Sequence, residues 1–347
     1  MPGKDNKSMT RDELAGEIAS LGLPLFRAGQ IFDWLQVRGV TSFDEMTNLS
    51  KDLRASLAQR YELRFCEVVR RLESKDDTVK YLFRLIDGEC VESVLMHYKY
   101  GYTLCVSTQV GCKMGCAFCA STLGGFVRSL TASEILSQIH AAQRDRGVRV
   151  SHVVLMGMGE PLDNFDNVMR FLDLVGDEKG LHISMRSISL STCGLVPRIY
   201  DLMDRQYPLT LSISIHAPND EIRSRIMPVN RRYPIDELLH ACRDYADRTG
   251  RRISFEYTMI HGVNDSDACA RELAGRLRGM LAHVNLIPAN EFSESPYARS
   301  GADRVERFAE VLRKNGVNAT IRRSLGSDID ASCGQLRLHS KKEVDLP

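Results

Sequence analysis

The chain has 347 residues, of which 43 % are apolar and 26 % charged, with a net charge of +1. Such a chain can bury a sizeable core, and its composition excludes wholesale disorder, collagen and coiled coil. No stretch approaches about 18 uninterrupted apolar residues, and the polar N-terminus lacks the apolar segment of a signal peptide, so we expect a cytoplasmic protein that does not enter a membrane. The balance of 46 basic and 45 acidic residues does not indicate nucleic acid, although a local basic patch would be enough to bind it.

The first part of the chain has a helical pattern that later gives way to strands. Apolar residues recur at helical spacing over residues 11–64, which predicts a small N-terminal helical domain over residues 1–78. The period changes over residues 79–108, where three segments have strand character and Asp87-Gly88 signals a turn. Residues 79–102 are therefore predicted to be a β-rich connector.

From residue 103 onward, strand patterns and helix patterns alternate. This alternation implies a parallel sheet with helices outside it. Six or seven such units are too few for a closed eight-stranded barrel, so we predict an α/β fold with an open, partial parallel β/α barrel over residues 103–338. Residues 339–347 are predicted to be a polar tail.

The ten cysteines are unevenly distributed, and three of them have the spacing of iron–sulfur ligands. In a chain without an export signal, cysteines more often bind metal or do redox chemistry than form disulfides. Cys112, Cys116 and Cys119 can hold one iron–sulfur cube from a single loop and leave one iron open to another ligand. The alternative is a structural zinc site that takes its fourth ligand from elsewhere, for example from Cys105.

Polar and glycine-containing motifs follow several of the predicted strands, where the active sites of parallel barrels collect. They are residues 157–161, residues 191–194, residues 214–216, Asn290 and, beyond the last strand, Cys333. Taken singly, each has a structural explanation, such as a turn glycine or a core histidine. Their shared position at the predicted mouth of the barrel favours a functional site.

These motifs resemble those of the radical S-adenosylmethionine (SAM) enzymes, and most closely the RlmN family of dual-specificity rRNA and tRNA adenine-C2 methyltransferases. The CxxxCxxC spacing and the GMGEP turn carry the resemblance to the superfamily. The resemblance to the family runs from about residue 11 to 338 and is carried by CVSTQVGCKMGCAFCASTLGGFVR, SISIHAPNDEIRSRIMPVN, VNLIPAN and GSDIDASCGQL. It implies a radical SAM type of barrel and methyl transfer to RNA.

The resemblance also implies a role for each matching residue. One 4Fe-4S cluster would be held by Cys112, Cys116 and Cys119. The contacts to SAM would come from Gly159, Glu160, Ser191, Ser214, Ile215, His216 and Asn290. Cys333 would be the cysteine that is methylated, Cys105 its resolving partner, and Glu92 the carboxylate that removes a proton.

The chemistry of the implied substrate explains why a nucleophilic cysteine is needed. Adenine C2 is an electron-poor C–H that cannot attack the methyl group of SAM, whereas a thiolate at Cys333 can. A second SAM would then be split into a 5′-deoxyadenosyl radical that activates the methyl group, so two SAM molecules are expected per turnover. The implied partners are 23S rRNA at the peptidyl-transferase loop, tRNA at the adenine next to the anticodon, and a low-potential electron donor such as flavodoxin or ferredoxin. No sequence signal fixes the oligomeric state, and a monomer is the default expectation.

Three other interpretations stay open from the sequence. The sister family of adenine-C8 rRNA methyltransferases (Cfr) shares the cluster motif and the cysteines that match Cys105 and Cys333. Only the closer similarity of the motif sequences to the C2 family favours methylation at C2. An iron–sulfur electron carrier would not need an open iron, and a zinc RNA-binding module would use the cysteines structurally. For contacts to RNA phosphates we expect the N-terminal helical domain and the arginines Arg223, Arg225, Arg231 and Arg232.

Overall fold

The computed structural model describes residues 3–290, 295–323 and 325–329. The strands are β1 (Lys4–Asp5), β2 (Tyr61–Glu62), β3 (Cys66–Glu73), β4 (Val79–Leu85), β5 (Cys90–Tyr98), β6 (Gly101–Cys105), β7 (Gln109–Gly111), β8 (Phe126–Ser129), β9 (Val150–Leu155), β10 (Ile188–Thr192), β11 (Thr210–Ser214), β12 (Ile253–Met259), β13 (Ala282–Pro288) and β14 (Ala319–Ile321). The α-helices are α1 (Arg11–Ser20), α2 (Phe26–Phe32), α3 (Lys51–Arg60), α4 (Ala132–Arg146), α5 (Phe165–Gly176), α6 (Val196–Arg205), α7 (Asp220–Ile226), α8 (Ile235–Thr249), α9 (Asp267–Leu277) and α10 (Ala302–Lys314). Within these ranges no helix is both long enough and apolar enough to span a bilayer.

A single large sheet organises the described chain, with its strands in the order β14-β13-β12-β11-β10-β9-β6-β5-β4-β3. From β6 to β14 each neighbouring pair is parallel, because a helix crosses back between successive strands. β14 and β3 are the two edges and do not pair with each other, so the barrel is open. This confirms the predicted partial parallel barrel.

The antiparallel end of this sheet differs from the prediction. β5, β4 and β3 continue the barrel sheet outward from β6, so the strands of the predicted β-rich connector, residues 79–102, belong to that sheet. Residues 66–73 form its edge strand, although they were predicted to belong to the helical domain. The sequence CEVVRRLE does not indicate a strand, because most of its side chains are exposed. It therefore lacks the alternation of apolar and polar residues that marks a half-buried strand. The division into domains stays a prediction.

The N-terminal helices end at Arg60 and share one hydrophobic core with the barrel. α1 begins with a capping box in which Thr10 accepts from the Glu13 backbone N–H and the Glu13 side chain accepts from that of Thr10. A π-helical turn at Asp33–Val37 directs Trp34 and Leu35 inward. The N-terminal helices therefore pack as a layer against the barrel.

A buried polar contact joins the N-terminal segment to α4. Lys7 Nζ donates to Ser137 Oγ at 3.2 Å, and His140 Nε2 lies 2.9 Å from the carbonyl oxygen of Gln36. Gly39 must be glycine here, because its φ is +61° and a Cβ would lie 2.3 Å from the His140 ring. Burial lowers the pKa of His140 to about 3, so the N-terminal segment docks on an uncharged imidazole.

The two faces of the parallel strands differ in chemistry. Residues that face the helices are buried and apolar, as Leu104, Leu155, Leu190, Ile213, Phe255 and Leu286 are. The opposite face, called the inner face below, carries a few apolar residues such as Val154 and Ile287 but is mostly polar. Its other residues include Thr103, Cys105, His152, Ser189, Ser191, Ser212, Ser214, Ser254, Glu256 and Asn285. Closed barrels fill this space with branched apolar side chains. A polar inner face instead suits a barrel that takes a ligand.

When the pH is lowered, the free energy of unfolding should fall less steeply in the His140→Gln variant than in the wild type. His140 titrates near 6.5 when unfolded and near 3 when folded, so between these values the unfolded state binds one more proton. Stability therefore falls as the pH falls, with a contribution from this group of about 1.4 kcal/mol per pH unit. Urea unfolding of both proteins from neutral pH to roughly pH 5 measures this slope. An unchanged slope in His140→Gln would contradict the assignment.

Candidate functional site

The loop that contains Cys112, Cys116 and Cys119 is anchored at both of its ends. β7 and β8 flank it and pair antiparallel, a small hairpin that the sequence did not predict. Gly111 sits where a Cβ would lie 1.7 Å from the Gly125 carbonyl oxygen, which allows the two strands to approach closely. The Ala117 N–H donates to the carbonyl oxygen of Ile226 at 2.9 Å, which holds the loop against the end of α7.

The environment of these thiols favours a cationic group. Burial raises the pKa of Cys112 to about 12, and the nearby Cys119 and Glu160 raise it as well. Burial also raises the pKa of Cys116, which Cys119 and Cys112 raise further. Three thiolates so close together need a positive partner, and the iron of a cluster supplies that charge. The donor set therefore fits an iron–sulfur cluster.

Within the described ranges, no three Cys, His, Asp or Glu side chains converge as ligands of one ion would. A cube does not require such convergence, since each cysteine binds a different iron. Cys105, the suggested fourth zinc ligand, packs with Val94 and Met96 in an apolar cluster on β5 and β6. Cys116 belongs to a different cluster, together with Cys193. Cys105 is therefore not placed to be the fourth ligand of a zinc site at this loop.

Glu160 joins the loops that follow β9 and β10. Its carboxylate accepts from the backbone N–H of Cys193 at 2.8 Å and from that of Leu162 at 3.0 Å. Its own N–H donates to Gln109 Oε1 at 3.0 Å. Burial raises the pKa of this carboxyl group. Gly159 precedes it with φ +100° and has no space for a Cβ, which would lie 2.6 Å from the Gln109 side chain.

The predicted SAM contacts on β10 and β11 lie side by side. The hydroxyl oxygens of Ser191 and Ser214 are 3.5 Å apart on the inner face. Ile215 is buried, and His216 follows in a left-handed conformation with φ +52°, which is uncommon for a residue other than glycine. Its Nδ1 accepts from the Thr258 N–H at 2.9 Å, and its ring centroid lies 4.8 Å from that of Phe118 in the cysteine loop, with the two rings in a T-shaped arrangement. Burial lowers the pKa of His216 to about 3, so the ring is neutral.

Arg223 corrects one of the sequence predictions. Its side chain is fully buried, so it cannot contact an RNA phosphate, whereas Arg225, Arg231 and Arg232 are exposed. The guanidinium donates to the carbonyl oxygens of Cys193 at 2.7 Å, Ser214 at 3.2 Å and Ile215 at 3.1 Å. A fourth bond goes to Asn230 Oδ1 at 2.9 Å. Arg223 therefore ties together the ends of β10 and β11.

The remaining predicted residues fall in two places. Glu92 and Cys105 are both buried on the inner face, where Cys105 pairs across the sheet with Val94, two residues beyond Glu92. Cys333 lies outside the described residues. Leu325, eight positions before it (333 − 325), packs on the cluster that contains Cys105, and the Gly326 N–H donates to Asp76 at 3.0 Å.

Asn290 is exposed, and Ala289 before it packs in the same apolar cluster as Cys116 and Cys193. The structure thus groups the cysteine loop with Glu160, Ser191, Ser214, Ile215 and His216, and groups Glu92 with Cys105 on the neighbouring strands.

Sequence reasoning missed several residues that shape this site. Lys80 forms an ion pair with Glu92, and Gln109 holds the backbone of Glu160. Glu256 accepts from Asn285 on the neighbouring strand at 2.8 Å. The alternation of ISFEYTM places Glu256 opposite the apolar face and could have identified it. Gln109 carried no comparable signal.

Comparison with known proteins gives the chain close relatives. Residues 106–271 match the family model of the radical SAM superfamily, and residues 7–63 match that of the ribosomal RNA large subunit methyltransferase N-terminal domain. A probable dual-specificity RNA methyltransferase RlmN of Lachnoclostridium phytofermentans is 52 % identical over 334 residues, which cover 96 % of this chain and 94 % of that protein. The protein of the same name from Lachnospira eligens is 51 % identical over 98 % of both chains. The crystal structure of a radical SAM methyltransferase from Sphaerobacter thermophilus superposes with a TM-score of 0.92 at 47 % identity, covering 96 % of this chain and 98 % of that one.

Replacing Arg223 by Lys should loosen the ends of β10 and β11. An ammonium group cannot reproduce the planar fork that reaches three carbonyl oxygens, so we expect a loss of about 2–4 kcal/mol in the free energy of unfolding. Denaturant unfolding measures this loss. Arg225→Lys, two positions along the same helix but exposed, is the matched control and should change stability by less than about 0.5 kcal/mol. Equal stabilities of the two variants would show that the guanidinium contacts contribute little.

Proposed function

Because this chain belongs to the RlmN family of the radical SAM superfamily, we propose that it methylates C2 of adenine in 23S rRNA and in tRNA. The methyl group would pass through Cys333, with Cys105 and Glu92 completing the transfer. The main support is that Glu92 and Cys105 lie buried on one inner face, while the described chain leading to Cys333 packs on the same cluster as Cys105. A thiolate and a carboxylate on one face are the two groups that transfer to an unreactive C–H requires.

The cofactor site is assigned on the fit of its residues. Cys112, Cys116 and Cys119 would hold one 4Fe-4S cluster, and the strand-end residues Gly159, Glu160, Ser191, Ser214, Ile215, His216 and Asn290 would contact SAM. When bound, the reduced cluster with SAM supplies a 5′-deoxyadenosyl radical, and SAM also supplies the methyl group. The neutral His216 and the apolar residues around Cys116 would exclude water from this chemistry.

The chain's own residues then act in order. Cys333 takes the methyl group as a thiolate nucleophile, and the carbon attached to its sulfur becomes bonded to C2 of the base. Glu92 accepts the proton that leaves C2. Cys105 attacks the sulfur of Cys333 as a thiolate, and the sulfur–carbon bond breaks. The electrons of that bond stay with the carbon, which takes up a proton to become the methyl group, and the two cysteines are left as a disulfide. The cluster assigned to this site would supply the acceptor for the one electron left over from the radical addition. Thiol reduction must then restore both cysteines, which suits a reducing cytoplasm. A separate low-potential electron donor, such as flavodoxin or ferredoxin, would reduce the cluster.

The substrates would reach this site as unpaired bases. An adenine has to leave its stack to approach a buried cysteine, as enzymes acting on single bases require. The N-terminal helical domain and the exposed Arg225, Arg231 and Arg232 are the proposed contacts to RNA phosphates. The match of residues 7–63 to the N-terminal domain of ribosomal RNA large subunit methyltransferases supports a role for this domain in binding RNA.

Labelled methyl transfer tests this function directly. Anaerobically reconstituted protein would be given SAM with a trideuterated methyl group and either a short 23S rRNA fragment or tRNA. Nucleoside mass spectrometry should show 2-methyladenosine whose methyl group retains two deuterons, with the third in 5′-deoxyadenosine. Label at C8 would identify the sister reaction and overturn the assignment to C2. Retention of all three deuterons would contradict the cysteine route.

Replacing any one of Cys112, Cys116 and Cys119 by Ala should abolish iron retention and SAM cleavage, because two thiolates cannot anchor the cube. Iron and sulfide analysis together with 5′-deoxyadenosine formation measure both losses. Cys193→Ala is the matched control, since Cys193 is a buried neighbour of Cys116 outside the motif and should leave the iron content unchanged. A full iron complement in any of the three motif variants would contradict the ligand assignment.

Replacing Cys105 by Ala should trap the protein on its RNA. The variant can still accept the methyl group and join it to the base, but it lacks the thiolate that breaks the sulfur–carbon bond. A covalent complex should therefore migrate slowly on a denaturing gel and disappear after nuclease digestion. Cys269→Ala, in α9, should form no such complex. Normal turnover by Cys105→Ala, or absence of the complex, would rule out Cys105 as the resolving thiol.

A further inference from the structure

Glu92 forms an ion pair with a buried lysine. Lys80 Nζ lies 3.1 Å from Glu92 Oε2, and the two side chains are 0 % and 1 % exposed. Lys80 is on β4 and Glu92 on the neighbouring β5, where Glu92 pairs with Leu82, so the lysine reaches diagonally across one face of the sheet. Ion pairs with both members so fully buried are uncommon, because each charge loses its hydration.

The backbone that carries Glu92 is fixed independently of the lysine. The carbonyl oxygen of Glu92 accepts from Ser107 Oγ at 2.6 Å, and the same oxygen atom of Ser107 accepts from the Met158 N–H at 2.9 Å. Gln138 holds the backbone of Ser107 from α4 through both of its amide atoms. Because these contacts already place the strand, we expect Lys80 to act chiefly on the carboxylate of Glu92.

A buried carboxylate accepts a proton only if it is ionised beforehand. Burial alone favours the protonated, neutral carboxylic acid, which cannot accept the proton of a substrate. A cation at hydrogen-bond distance favours the ionised carboxylate, which can. Other ionisable side chains lie on the same face of these strands. They include Arg84 on β4, which pairs with Glu67 at 2.7 Å, Arg70 on β3, Cys90 and Tyr98 on β5, and Cys105 on β6.

We propose that Lys80 is a positioning residue that keeps Glu92 ionised and oriented for the proton at adenine C2. This inference rests on the proposed function. In the step concerned, the C2–H bond breaks, its electron pair stays with the base, and the proton moves to a carboxylate oxygen of Glu92. Lys80 keeps its own proton throughout. Its charge balances the carboxylate before the transfer, and the ammonium group faces a neutral acid after it.

Two lysine variants separate this role from a structural one. Lys80→Met removes the charge, whereas Lys80→Arg keeps it within reach of Glu92, and Lys179→Met removes an exposed lysine as a control. In single-turnover methylation of RNA, we expect Lys80→Met to lose about 10²–10⁴-fold in rate, the usual contribution of a general base. Lys80→Arg should recover most of that loss, and Lys179→Met should match the wild type.

The loss should be confined to the proton-transfer step. RNA that carries deuterium at adenine C2 should react more slowly than unlabelled RNA in Lys80→Met, with a larger isotope effect than in the wild type. Formation of 5′-deoxyadenosine and methylation of Cys333 should stay near wild-type levels. An equal loss in all three measurements, or no increase in the isotope effect, would overturn the proposal.

Infrared spectroscopy reads the charge of Glu92 without turnover. The absorption of a protonated carboxylic acid should appear in Lys80→Met at neutral pH, be absent from the wild type, and disappear again in Lys80→Met/Glu92→Gln. This double variant also removes both charges, so it should fold even if Lys80→Met is unstable. Failure of the wild type to methylate C2 would refute the proposed function and leave the infrared result interpretable. Absence of the acid band from Lys80→Met would refute the inference itself.

Discussion

The buried guanidinium of Arg223 is the interaction on which the geometry of the candidate site depends. Three backbone carbonyl oxygens at the ends of β10 and β11 accept hydrogen bonds from this one side chain. Arg223 donates to those of Cys193, Ser214 and Ile215. Glu160 completes the arrangement from the other side, because its carboxylate accepts from the Cys193 N–H. Residues from three successive strand ends are thereby held in place before any cofactor binds.

The charges of the site point to the same chemistry as its sequence motifs. Burial leaves His216 neutral and keeps the thiols of Cys112 and Cys116 protonated, so the described residues alone do not provide a set of anionic ligands. A cationic cluster resolves this by stabilising the thiolates. On the adjoining strands the protein uses its own cation instead, since Lys80 balances Glu92. The negative charges of the cysteine loop would thus be balanced by a bound cofactor, whereas that of Glu92 is balanced by a side chain of the protein.

Much of the fold could be predicted because its sequence patterns are strong. The parallel strands alternate with helices that have clear caps, as Thr131 and Glu134 show at the start of α4. The cysteine spacing and the glycine turn identified the superfamily, because few other arrangements place three thiols on one loop. The edge strand β3 was missed because an exposed strand carries no alternating pattern. That β3, β4 and β5 continue the barrel sheet was not predicted, because a local strand pattern does not show which sheet the strand joins.

The side-chain contacts of the site were less accessible to sequence reasoning. Arg223 lies among exposed arginines, and nothing in its local sequence distinguishes a buried guanidinium from a surface one. Lys80 likewise occupies a strand where a charge would be expected to face water, and only the register with β5 shows its partner. Such residues become visible only when distant segments are brought together in space.

Passage of the methyl group through Cys333 is the step on which the proposed function depends, and peptide mass spectrometry can detect it. Protein incubated with labelled SAM and a reductant, without RNA, would be digested and the peptide that contains Cys333 analysed by mass spectrometry. We expect one labelled methyl group on Cys333, which is lost when RNA is added. Label that reaches RNA without ever appearing on Cys333 would contradict it.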